Sequence, residues 1–256
     1  MSKRIVIKVG GRVQSDGNLF WQLRNAWDHS AGDLCVVHGG GDEVTELQRR
    51  LGREPSFENG RRVTSVEDLE ILRMVLSGSA NKRLVSALVA VGIPAVGISG
   101  EDAATIEAQA MPEGRLGRAG KPSLIQVRLL ETLLNAGYMP VISPLARDAT
   151  SESGAAINVN GDDAAASLAA ALGAELWLIS DVAGVMNGDN AVLLSLDTAQ
   201  ADELIARGVV SGGMRAKLEA GFAALAAGVR GVRIASLNAV TDRSLGTALI
   251  LSKGTT

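Results

Sequence analysis

Short apolar runs alternate along this sequence with longer stretches of helical periodicity, and this alternation constrains the fold more than any other feature. Six runs are rich in Val, Ile and Leu, at positions 5–9, 34–37, 95–98, 139–142, 176–179 and 232–235. Apolar residues recur at helical spacing between them, at 42–51, 66–76, 81–91, 126–136, 162–172, 198–207 and 214–227. Strands that alternate with helices form parallel sheets covered on both faces. We therefore predict an α/β protein, a three-layer α/β/α sandwich with a central, mostly parallel sheet.

Two polar, glycine-bearing segments interrupt this rhythm, at 53–63 and 105–120. We predict hairpins or flaps there, rather than helices that cross from strand to strand. No low-complexity linker separates two halves of the chain, and no tandem repeat has a fixed period. Any division into lobes must therefore be a cleft within one continuous sheet.

Composition excludes several classes of function. The chain has 256 residues, 46% of them hydrophobic, with a formal net charge of −3, which is enough for a well-buried core. The acidic balance and the 3% aromatic content argue against nucleic-acid binding. No apolar run approaches the roughly 20 residues that span a bilayer, and the N-terminus has no signal-peptide pattern, so we expect a cytoplasmic protein that binds no membrane. The single cysteine, Cys35, and the two histidines, His29 and His38, argue against a disulfide or a metal site built from these residues.

Glycine-bearing loops follow three of the predicted strands: Lys-Val-Gly-Gly at 8–11, His-Gly-Gly-Gly at 38–41 and Ser-Asp-Val-Ala-Gly at 180–184. Loops that follow parallel strands meet at one edge of the sheet, where ligands bind. Glycine lets backbone N–H groups approach an anion without a β-carbon in the way. Triple glycine favours such an anion cradle over a simple tight turn, and Asp42 is a candidate cap for the helix that follows.

Lysine is scarce, since only six of the 25 basic residues are lysines. Lys8 nevertheless lies inside an apolar strand, and Lys217 lies three residues after Met214, near the start of a predicted helix. A compact ammonium suits a moving phosphoryl group better than a planar guanidinium does. For Lys217, an ordinary solvated position is an equally open interpretation.

The stretch Asn-Val-Asn-Gly-Asp-Asp at 158–163 directly precedes an alanine-rich helix. Alternate residues of an extended segment share a face, so Asn158, Asn160 and Asp162 can project together. A carboxylate between two lysines would hold both ammonium groups for phosphoryl transfer, which depends mainly on positioning and charge stabilisation. The alternative is that Asn160 or Asp162 is only the N-cap of the helix.

Familiar phosphate and nucleophile motifs are missing from the sequence. It contains no G-x-x-x-x-G-K-[ST], and no G-x-G-x-x-G follows a strand. It also contains no H-R-D and D-F-G pair and no G-x-S-x-G elbow. These absences disfavour a P-loop enzyme, a Rossmann dehydrogenase, a protein kinase and an α/β hydrolase.

Two further motifs complete a set of six: Asn-Gly-Arg-Arg-Val-Thr at 59–64 and Gly-Gly-Met-Arg-Ala-Lys at 212–217. In this order and spacing, over essentially the whole chain, the set resembles the amino-acid kinase superfamily and, within it, the acetylglutamate kinases most closely. The pattern Asn-Gly-x-Arg-Val-Thr separates acetylglutamate kinases from aspartate, carbamate, uridylate and glutamate 5-kinases. Gly-Ser-Ala-Asn-Lys at 78–82 is also similar to a segment of that family.

The resemblance implies that MgATP phosphorylates the side-chain carboxylate of N-acetyl-L-glutamate to N-acetyl-L-glutamyl 5-phosphate, the second step of arginine biosynthesis. It implies that Lys8 and Lys217 stabilise the transferring phosphoryl group and that Asp162 organises both lysines. The implied substrate-binding residues are Gly40, Gly41, Arg62 and Asn158. The implied phosphate- and ATP-binding residues are Gly10, Gly11, Asp181, Val182, Ala183, Gly184, Val185, Met186, Val209, Val210 and Ser211. Magnesium is expected to be held mainly by the nucleotide phosphates, with no protein metal ligand.

The resemblance also implies two lobes and a homodimer. Residues 1–173 would bind the acylated amino acid and form the dimer, and residues 174–256 would bind ATP. Arginine-inhibited members of the family carry an extra N-terminal helix, whereas the first strand here is predicted to start by about residue 4, so we expect an arginine-insensitive enzyme. Inhibition by sub-millimolar arginine would contradict this expectation.

Other interpretations stay open at the level of sequence. The loop at 114–122 is unfamiliar for the family and leaves the acyl group open, so the same chemistry could act on N-succinylglutamate, N-acetyl-α-aminoadipate or a carrier-linked amino acid. A carrier-linked enzyme should show a basic docking patch, whereas this chain is acidic overall. A non-catalytic sensor of nucleotide or amino acid should have lost a catalytic lysine or Asp162, whereas all three residues are present.

Overall fold

The structure is a computed structural model that describes residues 4–58, 60–111, 115–151 and 154–252. The strands of this part of the chain are β1 Ile5–Val9, β2 Leu34–His38, β3 Phe57–Glu58, β4 Arg61–Arg62, β5 Ala95–Ser99, β6 Ile106–Ala110, β7 Ala119–Ile125, β8 Met139–Ser143, β9 Leu145–Asp148, β10 Ala156–Val159, β11 Glu175–Ile179, β12 Ser195–Leu196, β13 Val232–Ala235 and β14 Thr247–Leu249. The α-helices are α1 Leu19–His29, α2 Gly41–Arg50, α3 Val66–Leu72, α4 Asn81–Ala90, α5 Arg128–Asn135, α6 Gly161–Leu172, α7 Thr198–Ala206 and α8 Gly212–Ala226.

One eight-stranded sheet forms the centre of the molecule, in the order β12-β14-β13-β11-β1-β2-β8-β5. The six strands predicted from apolar runs all lie in it, pair in parallel, and agree with the predicted bounds to within one residue. Strand β14 runs antiparallel to β13 and makes the sheet mixed at that edge. The prediction of a mostly parallel central sheet is therefore confirmed.

Alternate residues of β1 enter two different cores, which shows that both faces of the sheet are covered. Val6 packs in a core with α5, α6, α7 and α8, whereas Ile7 and Val9 pack in a second core with α1 and α4. All three side chains are almost completely buried. Full burial of one such aliphatic side chain contributes roughly 1.5–3 kcal/mol. The two cores with the sheet between them are the predicted α/β/α layers.

The predicted hairpins exist, but one of them belongs to a structure that the sequence did not suggest. Strands β3 and β4 pair antiparallel within 53–63, and β6 and β7 pair antiparallel from Ile106 to Ile125. Strands β6 and β7 then join β9 and β10 in a closed four-stranded barrel. A β-carbon at Gly120 would collide with the carbonyl oxygen of Gln109, so the tight pairing in the barrel requires glycine there.

The helix predicted at 66–76 is two elements. Helix α3 begins at a capping box, in which the Ser65 hydroxyl accepts from the Asp68 amide and the Asp68 carboxylate accepts from the Ser65 amide. It ends at Leu72, and a π-helical segment, Arg73–Ala80, continues the chain into α4. The π segment places Leu76 against Gly40, where a β-carbon would lie 2.7 Å from Leu76 Cδ2. The wider turn thus fits this helix to the glycine loop after β2.

The sheet order also separates the two halves of the chain. The strands after residue 174 form one side of the sheet, β12-β14-β13-β11, and β11 meets the N-terminal strands at β1. The assignment of different ligands to residues 1–173 and 174–256 stays a prediction. Among the described residues, no helix is long and apolar enough to cross a membrane.

Candidate active site

The three glycine-bearing loops lie side by side at one edge of the sheet, as predicted. Strands β11, β1 and β2 are adjacent and parallel, so their carboxyl ends coincide. The Gly10 amide donates to the Ile179 carbonyl at 3.0 Å, and the Gly39 amide donates to the Val9 carbonyl at 3.1 Å. These bonds fix the loops to one another directly after the strands end.

Three backbone N–H groups of these loops form a cradle. Among the described residues, no acceptor pairs with the amides of Gly11, Gly40 and Gly41. A β-carbon at Gly11 would lie 3.6 Å from the Gly40 nitrogen and 3.9 Å from the Gly41 nitrogen. A side chain there would cover these donors. Unpaired N–H groups kept open by glycine at the start of α2 fit the phosphate or carboxylate oxygens that the sequence predicts here.

Helix α2 is not capped by Asp42, contrary to the sequence-based suggestion. Its N-cap is Gly40, with no side-chain cap, and Asp42 lies inside the first turn. The Asp42 side chain instead lies 3.7 Å from the Arg12 guanidinium. The absence of a capping side chain leaves the N–H end of α2 open toward the cradle.

Lys8, Asp162 and Lys217 form one buried ion cluster. Lys8 Nζ lies 2.9 Å from Asp162 Oδ1, and Lys217 Nζ lies 3.1 Å and 3.0 Å from the two carboxylate oxygens. The exposed fractions of the three side chains are 11%, 7% and 12%. The solvated interpretation of Lys217 is therefore wrong. One carboxylate holds ammonium groups that come from opposite halves of the chain.

Mutual electrostatics determine the charge states of the cluster. Burial alone would raise the pKa of Asp162, but Lys8 and Lys217 outweigh burial and hold that pKa below its ordinary value. Burial, together with the neighbouring charge of Lys8, lowers the pKa of Lys217, and Asp162 opposes this change. The carboxylate is consequently ionised at neutral pH, and it stabilises the ammonium form of Lys217.

The start of α6 frees Asp162 for this role. Asn160 is the N-cap, and its side-chain oxygen accepts from the Asp162 amide at 2.8 Å. Of the two predicted cap candidates, Asn160 is thus the cap, and the Asp162 carboxylate remains available to the lysines. A β-carbon at Gly161 would lie 3.2 Å from Lys8 Cε, so a residue with a side chain there would press on Lys8.

Arg62 and Asn158 line a cavity beside the glycine cradle, with about 800 Å³ of empty space that includes its solvent-exposed mouth. Gly40, Gly41 and Gly161 belong to the same wall. The predicted substrate residues are therefore close to one another and to the cradle. Asp162 follows Gly161 in the chain but does not line the cavity.

Arg62 is held firmly at the cavity wall. Its guanidinium donates to the Gly41 carbonyl at 2.8 Å, to the Thr45 hydroxyl at 2.9 Å and to the Gln48 side chain, and it lies over the Phe57 ring at 4.7 Å. Burial lowers the pKa of Arg62, and nearby carboxylates oppose the change. An arginine remains charged under these conditions, so a buried cation faces the cavity.

The remaining described residues of the Asn-Gly-Arg-Arg-Val-Thr motif support this wall. Asn158 Nδ2 donates to the Thr64 hydroxyl at 2.9 Å, and that hydroxyl donates to the Arg62 carbonyl at 3.1 Å. Gly60 has a φ of +76°, which glycine adopts without strain at the tip of the hairpin. The first residue of the motif, Asn59, lies outside the described residues.

The Arg61–Asp163 ion pair was missed by sequence reasoning. Arg61 Nη1 lies 2.5 Å from Asp163 Oδ2, and both side chains are 14% exposed. The pair ties the β3–β4 hairpin to the first turn of α6, directly beside Asp162. The sequence contained one signal for this pair. Two arginines are adjacent at 61–62 and two aspartates at 162–163, and only one residue of each pair had been assigned a role.

The predicted nucleotide segments, 181–186 and 209–211, make no direct polar contact with the cluster. Among the described residues, no hydrogen bond or ion pair joins either segment to Lys8, Asp162 or Lys217. Asp181 and Met186 are exposed, and Asp181 lies 3.3 Å from Arg12.

Two residues of these segments are core residues. Val185 and Val210 are buried in the same core, and the Val185 amide donates to the Thr247 hydroxyl at 2.8 Å. Val182, Ala183 and Gly184 complete the first loop, and a β-carbon at Gly184 would lie 2.8 Å from that same hydroxyl. In the second segment, Val209 and Ser211 are exposed.

Comparison with known proteins places this arrangement in a family. The model of the amino acid kinase family matches residues 3–236. The acetylglutamate kinase of Geobacillus kaustophilus is 39% identical over 238 residues, which cover 92% of this chain and 91% of the relative. The acetylglutamate kinase of Chloroflexus aurantiacus is 42% identical over 240 residues, which cover 93% of each chain.

Solved structures share the fold. A protein from Streptococcus mutans superposes with a TM-score of 0.85 at 29% identity, over 97% of this chain and 99% of that chain. Carbamate kinase from Giardia lamblia, bound to AMP-PNP, superposes with a TM-score of 0.72 at 18% identity, over 98% of this chain and 100% of that chain. Because the family model matches residues 3–236 and the curated relatives are 39% and 42% identical over most of the chain, this chain belongs to the amino acid kinase family.

Proposed function

We propose that this protein is an enzyme that uses ATP to phosphorylate the side-chain carboxylate of N-acetyl-L-glutamate, giving N-acetyl-L-glutamyl 5-phosphate for arginine biosynthesis. The observation that carries the proposal is the Lys8–Asp162–Lys217 cluster beside an open glycine cradle, in a chain whose curated relatives are acetylglutamate kinases. A non-catalytic sensor would not need to maintain three buried ionised groups in this arrangement.

Lys8 and Lys217 would act on the transferring phosphoryl group. A carboxylate oxygen of the acceptor attacks the γ-phosphorus of ATP, the bond from that phosphorus to the β-phosphate oxygen breaks, and ADP leaves. Charge is spread over the phosphoryl oxygens in the transition state, so fixed cations stabilise it. Asp162 keeps both ammonium groups within 3.1 Å of its own oxygens and so limits their motion.

The glycine cradle would bring two anions together. The side-chain carboxylate of the substrate is ionised at neutral pH and needs no protein base. It must nevertheless approach a phosphoryl group that carries the same sign of charge. Amides of Gly11, Gly40 and Gly41 can donate to both anions within a small volume. Gly10 brings the first of these loops against β11.

Arg62 and Asn158 would determine the position of the acylated amino acid. A guanidinium can bind a carboxylate with two parallel hydrogen bonds, which suits the α-carboxylate of the substrate. Both N–H groups of Nη2 already donate to Gly41 and Thr45, and Nη1 donates to Gln48, so Arg62 would exchange some of these bonds when it takes the α-carboxylate in this way. Asn158 lines the same cavity and can contact the polar part of the acyl group.

ATP would lie over the carboxyl ends of β11 and β13, in the lobe formed by residues 174–256. The residues proposed to contact it are those of the segments 181–186 and 209–211, with Val185 and Val210 as buried supports. Magnesium neutralises phosphate charge when it is bound with ATP. We propose that the nucleotide phosphates hold it.

A homodimer built on the lobe of residues 1–173 is part of the same proposal. Light scattering coupled to size-exclusion chromatography measures it directly. A mass close to that of one 26.4-kDa chain would contradict the dimer.

The test of the function is ATP-dependent formation of an acyl phosphate, trapped with hydroxylamine as the hydroxamate. N-acetylglutamate, N-succinylglutamate, N-acetyl-α-aminoadipate and free glutamate are supplied separately, with Lys217→Ala as the inactive control. We expect a strong preference for N-acetylglutamate. Preference for another of the four would assign the enzyme to a different pathway, and no turnover with any of them would refute the proposal.

A further inference from the structure

Two buried polar side chains next to the glycine cradle belong to neither the ion cluster nor the cavity wall. His38 is the last residue of β2, directly before the three glycines, and Asn81 is the first residue of α4. Both are completely buried. A buried polar group is costly unless its hydrogen bonds are satisfied, so their partners are informative.

The orientation of the Asn81 amide is fixed by partners that can act in only one way. Lys82 Nζ, which can only donate, lies 3.2 Å from Asn81 Oδ1. The Val141 carbonyl, which can only accept, lies 2.9 Å from Asn81 Nδ2. The Ile98 carbonyl is farther from Nδ2, at 3.4 Å, so the two hydrogens of Asn81 Nδ2 go to Val141 and to His38 Nε2, which lies 3.1 Å away.

The tautomer of His38 follows from this assignment. Because Nε2 accepts a hydrogen bond, the proton of a neutral imidazole is on Nδ1. His38 Nδ1 then donates to the Gly39 carbonyl at 2.9 Å. Burial lowers the pKa of His38 from 6.5 to about 4, and the nearby cations Arg83 and Lys8 act in the same direction, although the bond to Gly39 opposes them. The imidazole is neutral near physiological pH.

The Gly39 carbonyl has a second donor on the side of β1. Gln14 Nε2 donates to it at 2.8 Å. The peptide bond between Gly39 and Gly40 is planar and trans, so its N–H points opposite to its C=O. Two donors that hold the carbonyl therefore also hold the Gly40 N–H, which points away from them and belongs to the cradle.

We infer that His38 is a positioning residue: Asn81 holds it as the Nδ1–H tautomer, and it fixes the Gly39–Gly40 peptide so that the Gly40 N–H meets the oxygen of an anion during phosphoryl transfer. The role in transfer rests on the proposed function. The relay from Lys82 through Asn81 and His38 to Gly39 does not, because it is a property of the folded chain. It also gives a role to the Asn-Lys pair at 81–82.

Nuclear magnetic resonance tests the tautomer without any assay of activity. Long-range ¹H–¹⁵N spectra distinguish the protonated from the unprotonated ring nitrogen, and His29→Gln assigns the only other histidine of the chain. We expect His38 to carry its proton on Nδ1 and to show no titration between about pH 5.5 and pH 8; the cations Arg83 and Lys8 oppose its protonation, and Lys82 is bonded to its partner Asn81. An Nε2–H tautomer, or titration with an ordinary histidine pKa, would overturn the inference.

Two variants of His38 test its effect on transfer. In His38→Asn, the amide nitrogen takes the place of Nδ1 in the side chain and can still donate to the Gly39 carbonyl. In His38→Gln, the amide nitrogen takes the place of Nε2 instead. We expect kcat of His38→Gln to fall roughly 10²-fold, as for loss of an oriented donor, with KM for ATP changed by less than about threefold. His38→Asn should keep kcat within about threefold of the wild type.

A purely structural role predicts a different result. It lowers the thermal stability of both variants and leaves kcat per folded enzyme equal in the two. Equal kcat values would therefore overturn the inference. If His38→Gln does not fold, Gln14→Met removes the other donor to Gly39, and kcat is expected to fall at least about threefold, with no change as the refuting result. Inactivity of the wild type would refute the proposed function, while the spectra would still decide the relay.

Discussion

Replacement of Asp162 by asparagine is the most direct test of the ion cluster. Asp162→Asn exchanges one carboxylate oxygen for an NH₂ group and keeps the size of the side chain. The wild-type carboxylate accepts from Lys8 at 2.9 Å and from Lys217 at 3.0 Å and 3.1 Å. In the variant, two positive charges remain beside one neutral amide, whose NH₂ group cannot accept from either lysine.

The burial and contacts of Asp162 set the size of the expected losses in unfolding free energy and in kcat. Removal of one member of a buried ion pair costs roughly 3–5 kcal/mol of unfolding free energy, and at 7% exposure solvent screens this site very little. Without the carboxylate, the lysines repel each other and move. A displacement of about 1 Å at a reacting group costs roughly 10²-fold in rate. We therefore expect kcat to fall about 10²- to 10³-fold, with KM for N-acetylglutamate changed by less than about threefold because Asp162 does not line the cavity.

The pH dependence gives a second measurement. Burial and Lys8 already lower the pKa of Lys217, and Asp162 opposes that change. Loss of Asp162 should lower the pKa further. Because the ammonium form exists below the pKa, the alkaline limb of the kcat profile should move to lower pH in the variant. An alkaline limb that stays in place would show that Lys217 does not act as a cation in the transfer.

Both quantities can be measured on the same preparations, by the hydroxamate assay and by urea unfolding. Asp148→Asn is the matched control, since it breaks a buried ion pair with Arg118 at 3.0 Å and does not touch the lysines. We expect the control to lose stability and keep kcat. An Asp162→Asn enzyme with kcat within about threefold of the wild type would refute the reasoning.

Three further predictions concern single side chains. Lys8→Arg should lower kcat roughly 10²-fold with the fold intact, because the space beside Lys8 Cε is closed at Gly161. Near-normal turnover would remove Lys8 from the mechanism. The control is Lys121→Arg, at an exposed lysine. Arg62→Ala should raise KM for N-acetylglutamate at least about tenfold with a smaller change in kcat, and an unchanged KM would contradict its binding role. Burial alone would raise the pKa of Asp68, but its hydrogen bonds lower it from 3.8 to about 2, so its ionised form stabilises the protein above about pH 4, by roughly 2 kcal/mol. In urea unfolding, the deficit of Asp68→Asn should shrink as the pH falls from about 4 to about 2, and a deficit independent of pH would exclude this linkage.

Local sequence patterns were enough to predict the central sheet and to mark the candidate reaction centre. Buried parallel strands need continuous apolar runs, and these are legible locally because each run lies within four or five residues. A lysine inside such a run, or three glycines directly after one, has no role in packing a sheet, so Lys8 and the loop at 38–41 indicate chemistry rather than packing. Parallel topology then required these loops to share an edge.

Features that depend on contacts between distant residues follow only from the folded chain. The barrel of β6, β7, β9 and β10 rests on pairings between separate parts of the chain, and the turn residues of one hairpin do not specify them. The Arg61–Asp163 pair and the path from Lys82 to Gly39 likewise join side chains whose separations in sequence carry no periodic signal. Whether Lys217 was solvated or buried could not be inferred from its neighbours either, because the carboxylate that holds it lies on another helix. Local patterns report how a segment packs, whereas a buried charge or tautomer is set by partners that only the folded chain brings within hydrogen-bonding distance.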